Sequence, residues 1–171
     1  MKKLLPLFAI VAIAFNAAIF GFFYAWICST MWGLDAADPK VAIAAMQAMN
    51  ASVRNAVFAP AFFVTPFALL LVGLVAWRAK YSDVALLFAG AGILYLCGGL
   101  FLTAAVNVPM NNALALIDIP TSRSEAAEIW NEYSDQWQFW NITRTVVSGA
   151  SLLLACIGLF RLGKHSALAR F

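Results

Sequence analysis

Four apolar runs, Leu4–Met31, Phe58–Trp77, Val84–Val106 and Asn141–Leu162, constrain this chain more than any motif in it. Crossing a hydrocarbon core of about 30 Å takes about 20 residues of helix, and each run has that length. Lipid offers no partner for backbone N–H and C=O groups, so a spanning segment must satisfy them internally, as helix does. The whole chain is biased the same way: 64% of its residues are hydrophobic, 11% are charged and its mean hydropathy is +0.85. Soluble domains use roughly 45–50% apolar residues. Four spans in 171 residues leave no length for a separate soluble domain, so residues 1–171 are read as a single four-span transmembrane domain. The expected fold is an all-α, integral membrane four-helix bundle.

The amino terminus, Met1-Lys2-Lys3 before an apolar run, has the charge order of a signal peptide. A signal core is about 7–15 residues long, however, and here the run continues through Phe22, Phe23, Tyr24 and Trp26, so it is read as a retained first span. Its one amide, Asn16, is expected to hydrogen-bond to another helix.

Charge orients the bundle. Lys2, Lys3, Arg78, Lys80, Arg161, Lys164 and Arg170 fall at one end, with Asp83 as the only acid. Lys40, Arg54, Arg123 and Arg144 fall at the other, with Asp35, Asp38, Asp118, Glu125, Glu128, Glu132 and Asp135. The positive-inside rule then places both termini in the cytoplasm, across the inner membrane if the cell is bacterial, with the two long connections outside. The net charge of +3 follows from this topology and gives no reason to expect nucleic acid as a partner. Membrane lipid is the implied surrounding, and the sequence leaves open whether the chain forms a homo-oligomer.

Both outer connections carry helix signals, so two short amphipathic helices are expected on the outer face. Asp38-Pro39 supplies an N-cap and a proline at the first helical position, with Val41, Ala45, Met49 and Val53 following at i, i+4 spacing. Ser122 and Glu125 form a capping-box pattern. It opens a helix with Ile129, Tyr133, Trp137 and Trp140 on one face and the acidic residues mostly opposite. Read by itself, this second helix is an interfacial anchor with a solvated face.

Two dense polar stretches interrupt the pattern. Asn107-Val108-Pro109-Met110-Asn111-Asn112 places three amides and a helix-ending proline directly after the third span. An unpaired amide in an apolar setting costs roughly 2–7 kcal/mol, so these side chains need polar company between helices. Trp130, Tyr133, Trp137, Trp140, Asn141 and Arg144 supply it, and the two stretches are expected to form one pocket at the outer end of the bundle. A short internal repeat adds Asn50: Gln47-x-x-Asn50-x-Ser52 precedes Arg54, and Gln138-x-x-Asn141-x-Thr143 precedes Arg144. Related hairpins would bring both clusters together near a twofold axis along the membrane normal.

Several chemistries find no support. The only histidine, His165, lies in the basic tail beyond the last span, so no metal site built on imidazole is expected. Cys28, Cys97 and Cys156 form no C-x-x-C pair and are read as packing residues. Dinucleotide and phosphate-loop signatures are lacking; the glycines at 90, 92, 98 and 99 lie in the third span, where they allow close helix approach. Arg144 carries the sharper reading. An arginine at the mouth of a span can simply snorkel to headgroups. Beside Asn141, Trp137 and Trp140 it also suits a flat, oxygen-bearing aromatic ligand that stacks on indole and accepts hydrogen bonds.

The segments Asn107-Val-Pro-Met-Asn-Asn-Ala-Leu and Trp130-x-x-Tyr133-x-x-x-Trp137-x-x-Trp140-Asn141-x-x-Arg144 resemble the anthrone oxygenase family of small four-span membrane proteins. The likeness extends over essentially the whole chain, including Phe23-Tyr24-Ala25-Trp26 and Gln47-x-x-Asn50. The resemblance implies an oxygenase without cofactor, acting on a hydrophobic, flat phenolic or anthrone-like molecule. In that reading Arg144 with Asn111 or Asn112 holds an enolate oxygen, Tyr133 or Asp118 relays the proton, and Asn50, Asn107, Trp130, Trp137, Trp140 and Asn141 bind the substrate. The competing reading is a non-catalytic membrane protein that binds a quinone-like lipid or a partner subunit.

Overall fold

The computed structural model describes residues 4–168 and contains five helices: α1 Leu5–Asp35, α2 Pro39–Ser52, α3 Phe58–Arg78, α4 Ser82–Ala115 and α5 Arg123–Leu168. Among the described residues, α1, α3, α4 and α5 are long and apolar enough to cross a membrane, so the chain is an all-α membrane protein with four candidate spans. The four run alternately up and down. One end of the bundle carries the start of α1, the Arg78–Ser82 turn and the end of α5. The other carries the end of α1, α2 and the start of α5. Lys2, Lys3 and Arg170, used above to orient the chain, lie outside the described residues.

Packing is layered along the bundle. At the turn end, Leu5, Ala9, Leu69, Val72, Ala76, Phe88, Ala155 and Leu162 form one cluster. There Gly73 lets α3 approach α4 closely: a Cβ on it would stand 3.1 Å from Ala89 N and 3.2 Å from Ala85 O. At the middle Asn16 Nδ2 donates to Ser151 Oγ (2.9 Å), which donates in turn to Ala91 O (2.8 Å). That chain joins α1, α5 and α4, as expected of an amide inside a span. At the other end Trp26, Met31, Leu114, Trp130, Tyr133 and Trp137 make a second, more aromatic cluster with Ile43 and Met46 of α2.

Three sequence expectations change at this end. Pro109 does not end the third span, because α4 runs in wide π turns over Tyr95–Phe101 and Thr103–Asn107 and resumes as α-helix to Ala115. The π turn re-pairs the ladder just upstream, with Val108 N bonding to Thr103 O, so the proline sits at the opening of an α segment where its missing N–H costs little. The second amphipathic helix is not a separate element but the first turns of α5, since neither proline nor glycine falls between Ser122 and Ser148. At 1.5 Å per residue the 46 residues of α5 extend about 69 Å, well beyond a core of about 30 Å. Finally, α2 buries Ala42, Ile43, Met46 and Asn50 while Val41 stays exposed, so the stripe read from Val41 is not its packed face. The helix is clamped between the ends of α4 and α5, and the docking face is set by them. The caps are as expected: Lys40 N donates to Asp38 Oδ1 at 3.0 Å at the start of α2, and Glu125 N to Ser122 Oγ at 3.4 Å at the start of α5.

His165 belongs to the turn end. Its Nε2 lies 2.9 Å from Asp83 Oδ1 and its ring stacks on Tyr81.

Candidate functional site

Between the middle of the bundle and α2 lies a cavity of about 550 Å³, within the range of about 300–1,000 Å³ usual for small-molecule sites. Aromatic rings make its walls. Phe22, Phe23 and Trp26 come from α1, Phe58, Phe62 and Phe63 from α3, and Trp137 from α5. Trp26 and Trp137 meet at 5.0 Å between centroids, and Phe58 stacks on Phe62 at 5.2 Å. A groove of about 460 Å³ shares Phe22, Trp26 and Phe58 with the cavity and continues past Ala18, Ile19, Val57 and Ala61 to the surface between α1 and α3.

Arg144 forms the polar floor. It is only 5% exposed, and its guanidinium lies 4.4 Å from the Phe23 ring centroid and 4.9 Å from that of Trp137. Nε donates to Asn141 Oδ1 at 2.9 Å and Nη1 to Thr103 Oγ1 at 3.3 Å. Asn141 is fixed in turn, its Nδ2 donating to Phe23 O at 3.2 Å. These bonds use two of the five N–H groups of a guanidinium. Among the described residues the ion pairs are Arg123–Asp38 and His165–Asp83, and no carboxylate pairs with Arg144. Buried arginines ordinarily lie beside an acid, so this one is held by ring faces and neutral oxygens alone.

Asn111 is oriented just as firmly. Its Oδ1 accepts from Tyr133 Oη at 2.8 Å and from Trp137 Nε1 at 3.0 Å. With both donors on the oxygen, the amide NH₂ remains as the group it can offer to the cavity it lines. Asn50, also on the wall, donates from Nδ2 to Tyr133 Oη at 3.4 Å. At the mouth stand Arg54, Asn55 and Ala56 of the α2–α3 connection.

Of the residues singled out in the sequence, the structure brings Asn50, Asn111, Trp137 and Arg144 onto one cavity, with Asn141 directly behind Arg144. The remainder lie elsewhere. Tyr133 is behind Asn111 and lines a separate, shallower depression with Glu132 and Gln136. Trp130 donates to Asp35 Oδ1 at 3.0 Å and serves to tie α5 to α1. Trp140 packs edge-on against Phe139, away from the cavity. Asn112 points outward and accepts from Arg54 Nη2 at 2.8 Å. Asn107 is 1% exposed, is not on the cavity wall, and neither polar atom of its amide has a partner among the described residues. Asp118 is exposed and not on the cavity. Sequence reasoning missed the phenylalanines of α1 and α3, because those spans are apolar on every face and show no stripe. It also missed Thr103 and the placement of Arg54. Among the described residues no three His, Cys, Asp or Glu side chains gather as a metal site.

Fold and cavity define a helical-bundle membrane protein with an arginine-floored, aromatic-walled pocket to which all four candidate spans contribute. It belongs to the anthrone oxygenase family, whose sequence model matches residues 49–154. That match includes Asn50, Arg54, Thr103, Asn111, Trp137 and Arg144 and begins after the α1 residues of the wall. No curated protein and no solved structure matches the chain.

Proposed function

We propose that this protein is a membrane oxygenase that binds a flat, oxygen-bearing aromatic molecule of the anthrone type and holds its enolate oxygen with Arg144. The observation that carries this reading is the state of that guanidinium. It is buried, has no acid partner among the described residues, is bracketed by two ring faces, and has donors to spare on a cavity of ligand size. A headgroup anchor would put its charged tip in the interface instead. A planar ligand can lie against Trp137 and Phe23 while its oxygen accepts in the plane of the fork, a geometry only arginine offers.

The chemistry is balanced without a further reactant. Loss of a proton from the benzylic CH₂ gives the enolate, whose negative oxygen is stabilised by Arg144 and by the NH₂ of Asn111. The enolate carbon passes one electron to dioxygen, the two radicals join through a C–O bond, and the peroxide takes up a proton. Loss of water then breaks the O–O bond and the remaining C–H bond to leave C=O. The carbon has lost four electrons, and one dioxygen has become a ring carbonyl oxygen and one water. Tyr133 acts here as a positioning residue, since it fixes Asn111 from behind. Among the described residues no carboxylate or imidazole lines the cavity, so the proton leaves to water at the mouth.

The groove between α1 and α3 favours a second reading, in which the same cavity holds a quinone-like lipid that arrives from the bilayer and undergoes no reaction. Dioxygen consumption by purified, chelator-treated protein with a model anthrone separates the two. The oxygenase reading expects one dioxygen per anthrone, faster than spontaneous autoxidation and abolished in Arg144→Ala. Binding of the anthrone with no acceleration would leave the lipid-binding reading.

A further inference from the structure

We propose that Arg54 is a second anion-binding position, at the mouth of the cavity, and that the ligand carries an ionised acidic group on the edge opposite its ring oxygen. This rests on the reading of the cavity as a site for flat aromatic molecules, but not on any oxygen chemistry.

Arg54 lines the same cavity as Arg144 but at its exposed end, in the α2–α3 connection. That connection is fixed. Asn55 Oδ1 accepts from Val57 N and Phe58 N, both at 2.9 Å, and its Nδ2 donates to Ser52 O at 2.7 Å. The guanidinium is fixed too, by one bond from Nη2 to Asn112 Oδ1 of α4 at 2.8 Å. An arginine that only served solubility or headgroup contact would gain nothing from being tied across the opening by a neutral amide. The remaining donors are left to the cavity mouth.

Charge inside the cavity has one sign. Among the described residues its lining contains Arg54 and Arg144 but no aspartate, glutamate or histidine, although seven of the eight acids of the chain lie at this end of the bundle. Asp35 is engaged by Trp130, Ser134 and Gln138 at 3.0, 2.7 and 2.9 Å, and Asp38 by Arg123 at 3.2 Å. Glu125, Glu128, Glu132 and Asp135 line the exposed face of α5. One buried cation on the floor and one exposed cation at the mouth, with no counter-charge on the lining, favour an anionic occupant and disfavour a cationic one. Asn111, with its oxygen consumed by Tyr133 and Trp137, adds a donor and no acceptor.

The sequence repeat gives the same pairing. Gln47 of α2 donates to Leu114 O and Ile117 O at the end of α4, both at 2.9 Å, while Gln138 of α5 donates to Asp35 at the end of α1. Each glutamine thus ties its helix to the far end of a span in the other half. The arginines that follow, Arg54 and Arg144, arrive at the mouth and floor of one cavity.

The test compares two ligands of one shape, anthraquinone and anthraquinone-2-carboxylate, by quenching of tryptophan fluorescence in maltoside micelles, which contain no phosphate. Partition into empty micelles is subtracted. The carboxylate is expected to bind about tenfold more tightly, the size of one charge-assisted hydrogen-bonded contact. Arg54→Gln brings the two affinities together, removing that preference; Asn112→Ala, which frees the Arg54 guanidinium, reduces the preference. Arg144→Gln weakens both ligands alike. Equal binding of the two ligands by the parent, or a preference that survives Arg54→Gln, overturns the mouth assignment alone. Failure of the parent to bind either ligand overturns it together with the aromatic-site reading.

Discussion

Arg144→Lys separates a ligand-reading arginine from an anchoring one. Lysine keeps the charge but loses the fork that spans Asn141 and Thr103 and the flat face set between Phe23 and Trp137. Affinity for a flat, oxygenated ring is expected to fall by at least about tenfold, as in Arg144→Ala. Equal affinity of the lysine variant and the parent, per folded protein, would return Arg144 to an anchoring role. Asn107→Leu asks the opposite question. The amide is buried without a partner among the described residues, and an unsatisfied buried polar group costs about 1–3 kcal/mol, so an apolar side chain of similar volume should raise the thermal midpoint. A lower midpoint would mean that the amide is satisfied and needed. These residues also show what a sequence pattern can convey. Trp130, Tyr133, Trp137, Asn141 and Arg144 do lie along one buried face of α5, and that much was legible from spacing. Trp130 and Arg144 are nonetheless about 21 Å apart along the helix at 1.5 Å per residue, so a shared face was not a shared site. The choice between Asn111 and Asn112 was set by which neighbour carried a donor, Tyr133 or Arg54, and spacing holds no record of that.

At the scale of elements, caps were readable and continuity was not. Asp38 and Ser122 begin helices as their side chains dictate, whereas the fusion of the second surface helix with the fourth span follows from the lack of proline or glycine between Ser122 and Ser148. The π turns of α4 were hidden because they are decided by tertiary partners: they let Thr103 face Arg144 and Asn111 face Tyr133 on one helix that also contains Pro109. Asp35 was missed for the same reason. It accepts from Trp130, Ser134 and Gln138, three residues spaced by four on α5, and so fastens the end of α1 beside the cavity. Asp35→Ala should lower stability by about 1–2 kcal/mol, since bonds to a carboxylate are strong but this one is partly solvated. Asp35→Asn, which keeps one acceptor oxygen, should recover much of the loss. Thermal unfolding of the two variants in micelles measures this, and an alanine variant as stable as the parent would reduce Asp35 to a surface acid.

For the molecule as a whole, the distribution of charge decides which way the cavity faces. Among the described residues the turn end carries Arg78, Lys80, Arg161 and Lys164, with Asp83 engaged by His165. The cavity end carries Arg54, Arg123 and Lys40, but also most of the acids, which count little in this rule. Lys40 donates to Thr121 O and Arg123 pairs with Asp38, so these two cations belong to the joint between the two connections. The short Arg78–Ser82 turn, with Lys80 in the left-handed region at φ 70°, is the kind of loop on which the positive-inside rule acts most strongly. It should therefore lie in the cytoplasm, with the mouth at Arg54 opening on the outer face. Single cysteines at Lys80 and Asp118, in a chain from which Cys28, Cys97 and Cys156 have been removed, report this through a membrane-impermeant thiol reagent added to intact cells. Labelling is expected at position 118 and, at position 80, only after the membrane is opened. The reverse pattern would turn the bundle over and place the cavity mouth in the cytoplasm, so that a charged ligand would have to reach Arg54 from that side.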